Sequence, residues 1–375
     1  MRFRPVRFAL GIMTFALNLA LVAQPPAPPK SPEVSPDGRV TFRFLDPNAK
    51  QVGVFLEGKT APDAMTRNEQ GVWTLTTPPL PPDLYGYTFI SDGQMRTDPV
   101  NPLLKPNLIN TENMVLVSGA KPEVWERQDV PHGEVHHHFY RSIIAGDDRH
   151  YFVYTPPNYD PKSNAKLPVL YLLHGYSDDA NGWTDVGQVN FILDNLIAAG
   201  KAKPMVVVMP LGYGTMEFLN RSWGAWSDMA LRNKNLEMFQ KELLTEILPR
   251  VEKEYRVSTK NTDRAIAGLS MGGGQTLDVG LNNPDKFAYV GAFSSAVKDV
   301  DYVKSYPRAN KDINSKIKLL YVACGVDDHL IDPNRNFISY LKGKDVKVEF
   351  VETPGAHTWM VWRRNIAEFS QRLFK

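Results

Sequence analysis

Cysteine is almost missing from this chain. Cys324 is the single one among 375 residues, so no intramolecular disulfide can form. That excludes a small secreted scaffold held together by disulfides. An excess of charge of one sign is missing too: 43 Lys and Arg stand against 41 Asp and Glu, and no long basic run occurs. A nucleic-acid partner therefore gets no support from charge. No internal repeat is visible. The longest apolar stretch, Phe8 to Val22, is fifteen residues, short of the ~20 that a membrane span needs. What remains, 43% hydrophobic and 22% charged residues, is the balance of a folded globular chain and not of a disordered one.

That apolar stretch has the layout of a secretory leader. Arg2, Arg4 and Arg7 precede it, Thr14 and Asn18 alone interrupt it, and Leu21-Val22-Ala23 offers a small-residue cleavage site before Gln24. The reading is a signal peptide over residues 1–23, a secreted or periplasmic protein, and no stable membrane anchor after cleavage. No cysteine follows the run to carry a lipid.

The length suggests two or three domains of about 100–200 residues each. Residues 24–36 (QPPAPPKSPEVSP) read as a proline-rich tether. Over 37–118 the pattern is short and alternating: RVTFRFLDP, QVGVFLEG, GVWTLTTPPL, LYGYTFISDG and ENMVLVSG. Five strands with turns between them predict a small all-β, immunoglobulin-like sandwich. Residues 119–135 read as a linker. From 136 to 375 near-continuous apolar strands alternate with helices, among them the long amphipathic NLEMFQKELLTEILPRVEKEY. That grammar predicts an α/β fold with a mainly parallel central sheet covered on both faces.

One stretch asks for a chemical explanation. AIAGLSMGGGQ, residues 265–275, places Gly268-Leu269-Ser270-Met271-Gly272 after an apolar strand and before a helix-compatible run. Gly-x-Ser-x-Gly alone means little: at Gly and Ser frequencies of about 7% it arises by chance in roughly one chain in ten of this length. Strand, tight turn and helix together make it a nucleophile elbow, with Ser270 exposed at a strained apex. A serine needs a base. Of eight histidines, His357 follows the strand VKVEFVE and precedes the last helix, at the same sheet edge as Ser270. Three consecutive histidines, His136 to His138, alternate faces on a strand and read as structural or surface residues, with no metal. His132 and His150 read as residues without partners, and His174 as a loop organiser. The acid that orients the base comes from VACGVDDHLID: Asp328, with Asp327 next, and His329 as a loop residue. Ser270, Asp328, His357 is the chain order of the α/β-hydrolase fold. The oxyanion hole takes the N–H of Met271, just after the nucleophile, and that of Tyr176, after the strand YLLHG.

These residues resemble carbohydrate esterase family 1, in the esterase D-like branch of α/β-hydrolases. The resemblance rests on YLLHGYSDDANGW, ILDNLIAAGKAKPMVVVMPLGYG, AGLSMGGGQTL, ACGVDDHLI and GAHTWMVWR, in that order, and covers about residues 130–375. It implies a serine esterase with a Ser270, Asp328, His357 triad and no cofactor or metal. It also implies a plant polysaccharide ester, feruloylated or acetylated xylan, as partner. The sandwich resembles a family 48 carbohydrate-binding module, although Trp73, the residue wanted as a sugar platform, sits in a strand and reads as core. Aromatic residues cluster near the expected pocket, with Trp226, Trp359 and Trp362 taken as substrate-binding beside Tyr176, Trp183 and Trp223. Aromatic walls suit a feruloyl group better than acetyl. Acetyl xylan esterase, siderophore trilactone esterase and an acyltransferase of the mycolyltransferase type stand as alternatives. A non-catalytic carbohydrate-binding protein is disfavoured by the complete triad.

Overall fold

The computed structural model describes residues 29–297 and 301–375. The leader reading of residues 1–23 lies outside the described residues. The all-β part consists of two antiparallel sheets. One orders strands Glu33–Val34, Val40–Leu45, Val72–Thr76 and Thr66–Arg67. The other is built on Val52–Leu56, Asp83–Ser91 and Glu112–Val117. Alternation explains the packing: Val40, Phe42 and Phe44 turn inward while Thr41 and Arg43 turn out. The ring of Phe42 meets Tyr87 at 4.7 Å between centroids, and Phe44 meets Phe89 at 4.6 Å. Trp73 is buried in this core and donates its indole N–H to Asp46 O, so it offers no platform to a sugar.

Two segments read as connectors are built into the fold. Glu33–Val34, within the proline-rich stretch, pairs with Val40–Thr41, and Ser31 is buried against Asp98. Strands of two residues carry no alternation to read. The 119–135 segment buries Trp125, and Asn195 donates to the carbonyls of Val124 and Glu126.

The hydrolase part is an eight-stranded sheet. Its strands are β1 (Glu134–Arg141), β2 (Asp148–Thr155), β3 (Val169–Leu173), β4 (Val206–Pro210), β5 (Arg264–Leu269), β6 (Tyr289–Phe293), β7 (Leu319–Gly325) and β8 (Glu349–Thr353). The spatial order is β1-β2-β4-β3-β5-β6-β7-β8, with β2 antiparallel to both neighbours and β4 to β8 joined through parallel pairs. This is the α/β-hydrolase fold. Strands β3 to β7 are buried almost throughout, as a sheet covered on both faces requires. Helices α1 (Val189–Ala198) and α5 (Trp359–Ser370) cover one face, and α2 (Met229–Glu242), α3 (Ser270–Asn282) and α4 (Ile331–Gly343) the other. The long amphipathic helix is not continuous. A π-turn, Leu243–Ile247, follows α2, and helical geometry resumes at Leu248–Glu254. Pro249 has no N–H to give and would crowd the preceding turn, and a wider turn there accommodates it.

Asp83, Arg363 and Glu57 join the two parts. The Arg363 guanidinium is fully buried and donates to Asp83 Oδ1 at 2.8 Å and to Val186 O at 3.0 Å. Arg364 pairs with the other Asp83 oxygen at 2.7 Å.

Candidate active site

Strand β5 enters the site from the core, and the chain reverses into α3 at Ser270, whose φ is +52°. A non-glycine residue in the left-handed region is strained, and such strain concentrates where a side chain must be displayed. Two glycines make the turn possible. A Cβ on Gly268 would sit 2.6 Å from the Gly272 carbonyl carbon, and one on Gly272 would sit 2.5 Å from His174 O. The first turn of α3 thus lies directly on the end of β3.

His357 lies in the loop between β8 and α5. Its Nε2 is 3.0 Å from Ser270 Oγ, and its Nδ1 is 2.8 Å from Asp328 Oδ2. Asp328 is buried just beyond β7, and its Oδ1 accepts the Leu330 N–H at 2.8 Å. Burial alone would raise this carboxyl. The His357 hydrogen bond and charge, with the Leu330 N–H and Ser294, outweigh burial and hold it below the usual carboxylate range. Asp327 is exposed. His329 is also exposed, and its ring lies 4.7 Å from that of His357. Among the described residues, Asp328, His329 and His357 form the group able to hold a metal ion, with ligand atoms within 4.8 Å of one another.

Met271 N–H belongs to the first turn of α3, where N–H groups have no acceptor within the helix. Gly175 follows β3, and a Cβ on it would be 3.5 Å from Ser270 Cβ, so the Gly175-Tyr176 backbone passes beside the nucleophile. His174 fixes this loop. It is buried, its Nε2 accepts the Gly212 N–H at 2.7 Å, and its Nδ1 is 2.7 Å from Gly175 O. The Gly212 bond leaves the proton on Nδ1, and burial pushes the imidazole down to about 4, so the ring is neutral.

A cleft of about 540 Å³ opens over Ser270. Tyr176, Trp223, Trp226, Trp359 and Trp362 contribute to its walls. Trp359 and Trp362 are buried, whereas Trp223 is 59% exposed. Trp183 lies beneath, with its ring against Trp359 at 5.1 Å. Three further lining residues come from the sandwich: Glu57, Lys105 and Asn107. Sequence reasoning missed them, because a single polar residue after a strand reads as a solvated turn. Asn107 donates to Ser177 Oγ at 2.9 Å and to Asp178 Oδ1 at 3.2 Å, and Leu108 N–H donates to Ser177 O. Burial raises the Asp178 carboxyl to about 7, against the pull of Lys105 and these hydrogen bonds.

The remaining histidines are away from Ser270's partners. His136 and His138 face Thr155 and Tyr255 from one side of β1, while His137 stacks on Phe152 on the other. His132 and His150 are not partnerless, contrary to the sequence reading. His132 Nδ1 is 2.9 Å from Asp194, and His150 Nε2 is 3.0 Å from Asp179. Pairings across such sequence distances leave no local pattern.

The sheet order, the strained serine and the cleft above it define an α/β-hydrolase whose site is built for acyl chemistry. The sequence profile of the Esterase family matches residues 142–373, and the chain belongs to that family. It is 31% identical over 354 residues to the "Endo-1,4-beta-xylanase/feruloyl esterase" of Xylanibacter ruminicola, which covers 92% of this chain and 46% of that protein. The chain therefore spans about half the length of that relative. Among solved structures, a ferulic acid esterase superposes with a TM-score of 0.54 at 26% identity, over 66% of this chain and all of its own. The enterobactin esterase of Shigella flexneri, solved with enterobactin, superposes with a TM-score of 0.66 at 18% identity, over 90% of this chain and 92% of its own. That likeness concerns the fold, including the β-sandwich placed ahead of the hydrolase.

Proposed function

We propose that this esterase hydrolyses hydroxycinnamoyl esters, of the feruloyl type, on plant cell-wall xylan, and that it is exported to do so. The observation that carries the reading is the placement of His357 between Ser270 and Asp328 at the floor of an aromatic-walled cleft. His357 Nε2 takes the Ser270 proton as Oγ attacks the ester carbonyl. Asp328 holds the ring through Nδ1–H and offsets the charge that forms on it. The developing oxyanion is received by the N–H groups of Met271 and Tyr176, supported by the N-terminal end of α3. The imidazolium then gives its proton to the departing sugar hydroxyl, leaving an acyl-enzyme on Ser270. Water, deprotonated by the same His357, attacks that ester, and Ser270 leaves with the proton.

The aromatic walls favour a flat phenolic acyl group over acetyl. The likeness to a feruloyl esterase over 92% of the chain supports the same choice. The test compares kcat/KM on methyl ferulate, acetylated xylan and a catecholate trilactone. Methyl ferulate as the best substrate by tenfold or more supports the reading. A preference for acetylated xylan or for the trilactone overturns it. N-terminal sequencing of the mature protein from the culture supernatant or periplasm, expected to begin at Gln24, tests export.

A further inference from the structure

The β-sandwich reaches the loop that carries His357 through one carboxylate. Glu57 follows strand Val52–Leu56 and is buried at the boundary. Its Oε1 accepts the Trp359 N–H at 2.9 Å, and its Oε2 accepts the Gly86 N–H at 2.8 Å. Trp359 is the first residue of α5 and stands two residues after His357. The residue in the capping position, Thr358, makes no side-chain cap, and its hydroxyl is buried without a partner. The helix therefore takes its capping carboxylate from the other domain. A helix N-terminus favours such a group, and each orphan N–H left buried is costly.

Burial would raise the Glu57 carboxyl. The charges of Lys105 and Arg363 and the two backbone N–H donors outweigh it and keep the group ionised. Lys105 is itself held by Glu57 at 3.8 Å and by Glu112 at 2.8 Å. The contact around Glu57 is close-packed: a Cβ on Gly58 would stand 3.1 Å from Met360 Cε, and Met360 packs against the sandwich core.

We infer that Glu57 is a positioning residue for the hydrolysis. It fixes the first turn of α5 and, through Thr358, the distance from His357 Nε2 to Ser270 Oγ. It acts through the backbone and needs no contact with the substrate. The inference rests on the triad reading given above. A displacement of about 1 Å in a catalytic group can cost about a hundredfold in rate, so the effect belongs in kcat.

The experiment measures kcat and KM for wild type, Glu57→Gln and Glu57→Ala on para-nitrophenyl acetate, an ester too small to lean on the sandwich wall. Melting temperatures are measured alongside. Gln keeps one carbonyl oxygen for the Trp359 N–H, whereas Ala keeps none. The expected result is a fall in kcat of about threefold to tenfold for Gln and thirtyfold or more for Ala, with KM within twofold. Adding formate should restore part of the Ala activity, because a small carboxylate can occupy the vacated place between the two N–H groups, and should leave Gln unchanged. Wild-type kcat in both variants overturns the inference. So does a change confined to KM, which would make Glu57 a substrate contact. A loss in Ala that formate does not relieve, and that tracks a lowered melting temperature, also overturns it. Ser270→Ala separates the two readings. If Ser270→Ala stays active, the triad itself fails. If it is dead while both Glu57 variants match wild type, only the positioning role fails.

Discussion

Asp328 and His357 stand 2.8 Å apart across the gap between two loops that leave neighbouring strands, β7 and β8. Asp327, one residue earlier, points to solvent. Asp328→Asn should lower kcat by about three to four orders of magnitude, because an amide cannot hold the required tautomer or offset the imidazolium. Asp327→Asn should stay within threefold of wild type. Steady-state rates on methyl ferulate decide this, and a larger loss in the Asp327 variant would move the assignment by one residue.

Ser270→Ala should abolish the acyl-enzyme route and lower ester hydrolysis by roughly three to six orders of magnitude. It should not unfold the protein, since alanine at φ +52° bears the same strain as serine. Retention of a tenth of the wild-type rate would exclude Ser270 as nucleophile.

His174 carries a pH signature. Its imidazole titrates near 4 in the folded protein and near 6.5 when unfolded. Between those values the unfolded chain binds more protons. Stability is therefore lost as pH falls from 6.5 to 4, by about 3 kcal/mol in all. Asp178, raised to about 7, works in the opposite sense: its share is lost as pH rises from about 4 to 7. The two partly cancel in wild type. His174→Gln can accept from Gly212 and donate to Gly175 without titrating. Its unfolding free energy should therefore rise on acidification relative to wild type, measured by urea melts at pH 7, 5.5 and 4. Parallel curves for the two proteins would contradict a neutral, buried His174.

Cys324 is fully buried in β7, and burial pushes its thiol up to about 12, with the Asp328 charge adding to the shift. A thiol so poor in thiolate should not react with an aromatic disulfide reagent in the native enzyme. One equivalent should titrate after denaturation, and native activity should survive the reagent.

A chain beginning at Gln128 would lose Glu57, Lys105 and Asn107 together. Asn107 and Leu108 brace the loop that follows Tyr176, and Glu57 braces the helix that follows His357. Such a truncation also removes Asp83 and leaves Arg363 buried without its counter-charge, so it should unfold at lower urea than the full chain, and its kcat should fall by about tenfold or more on methyl ferulate as well as on feruloylated polymer. A loss on polymer alone would assign the sandwich to substrate capture and not to the site's geometry.

Much of this site was legible because its determinants are local. Gly268 and Gly272 announce the elbow, apolar strands lead into Ser270 and toward Asp328 and His357, and chain order links the three. The sandwich strands announced themselves by alternation, as in Val40–Leu45. What stayed hidden were the contacts that join the sandwich to the hydrolase. Glu57 and Trp359 are 302 residues apart, and nothing in the VFLEGK turn around Glu57 distinguishes a buried cap from a solvated glutamate. The π-turn before Pro249 was hidden for another reason: the apolar spacing runs through it unbroken, and only the missing N–H marks it.

The Arg363–Asp83 pair has a consequence for how the molecule comes apart. A guanidinium sealed between two folds cannot be left behind by either of them without losing its counter-charge. Opening the boundary therefore costs about as much as breaking a buried pair inside one core, about 3–5 kcal/mol. The two halves should accordingly behave as a single calorimetric unit, with one endotherm whose van't Hoff and calorimetric enthalpies agree. Recombining this sandwich with another hydrolase would then be a graft onto a core, with the arginine's pocket to be matched, and not an exchange of beads on a string.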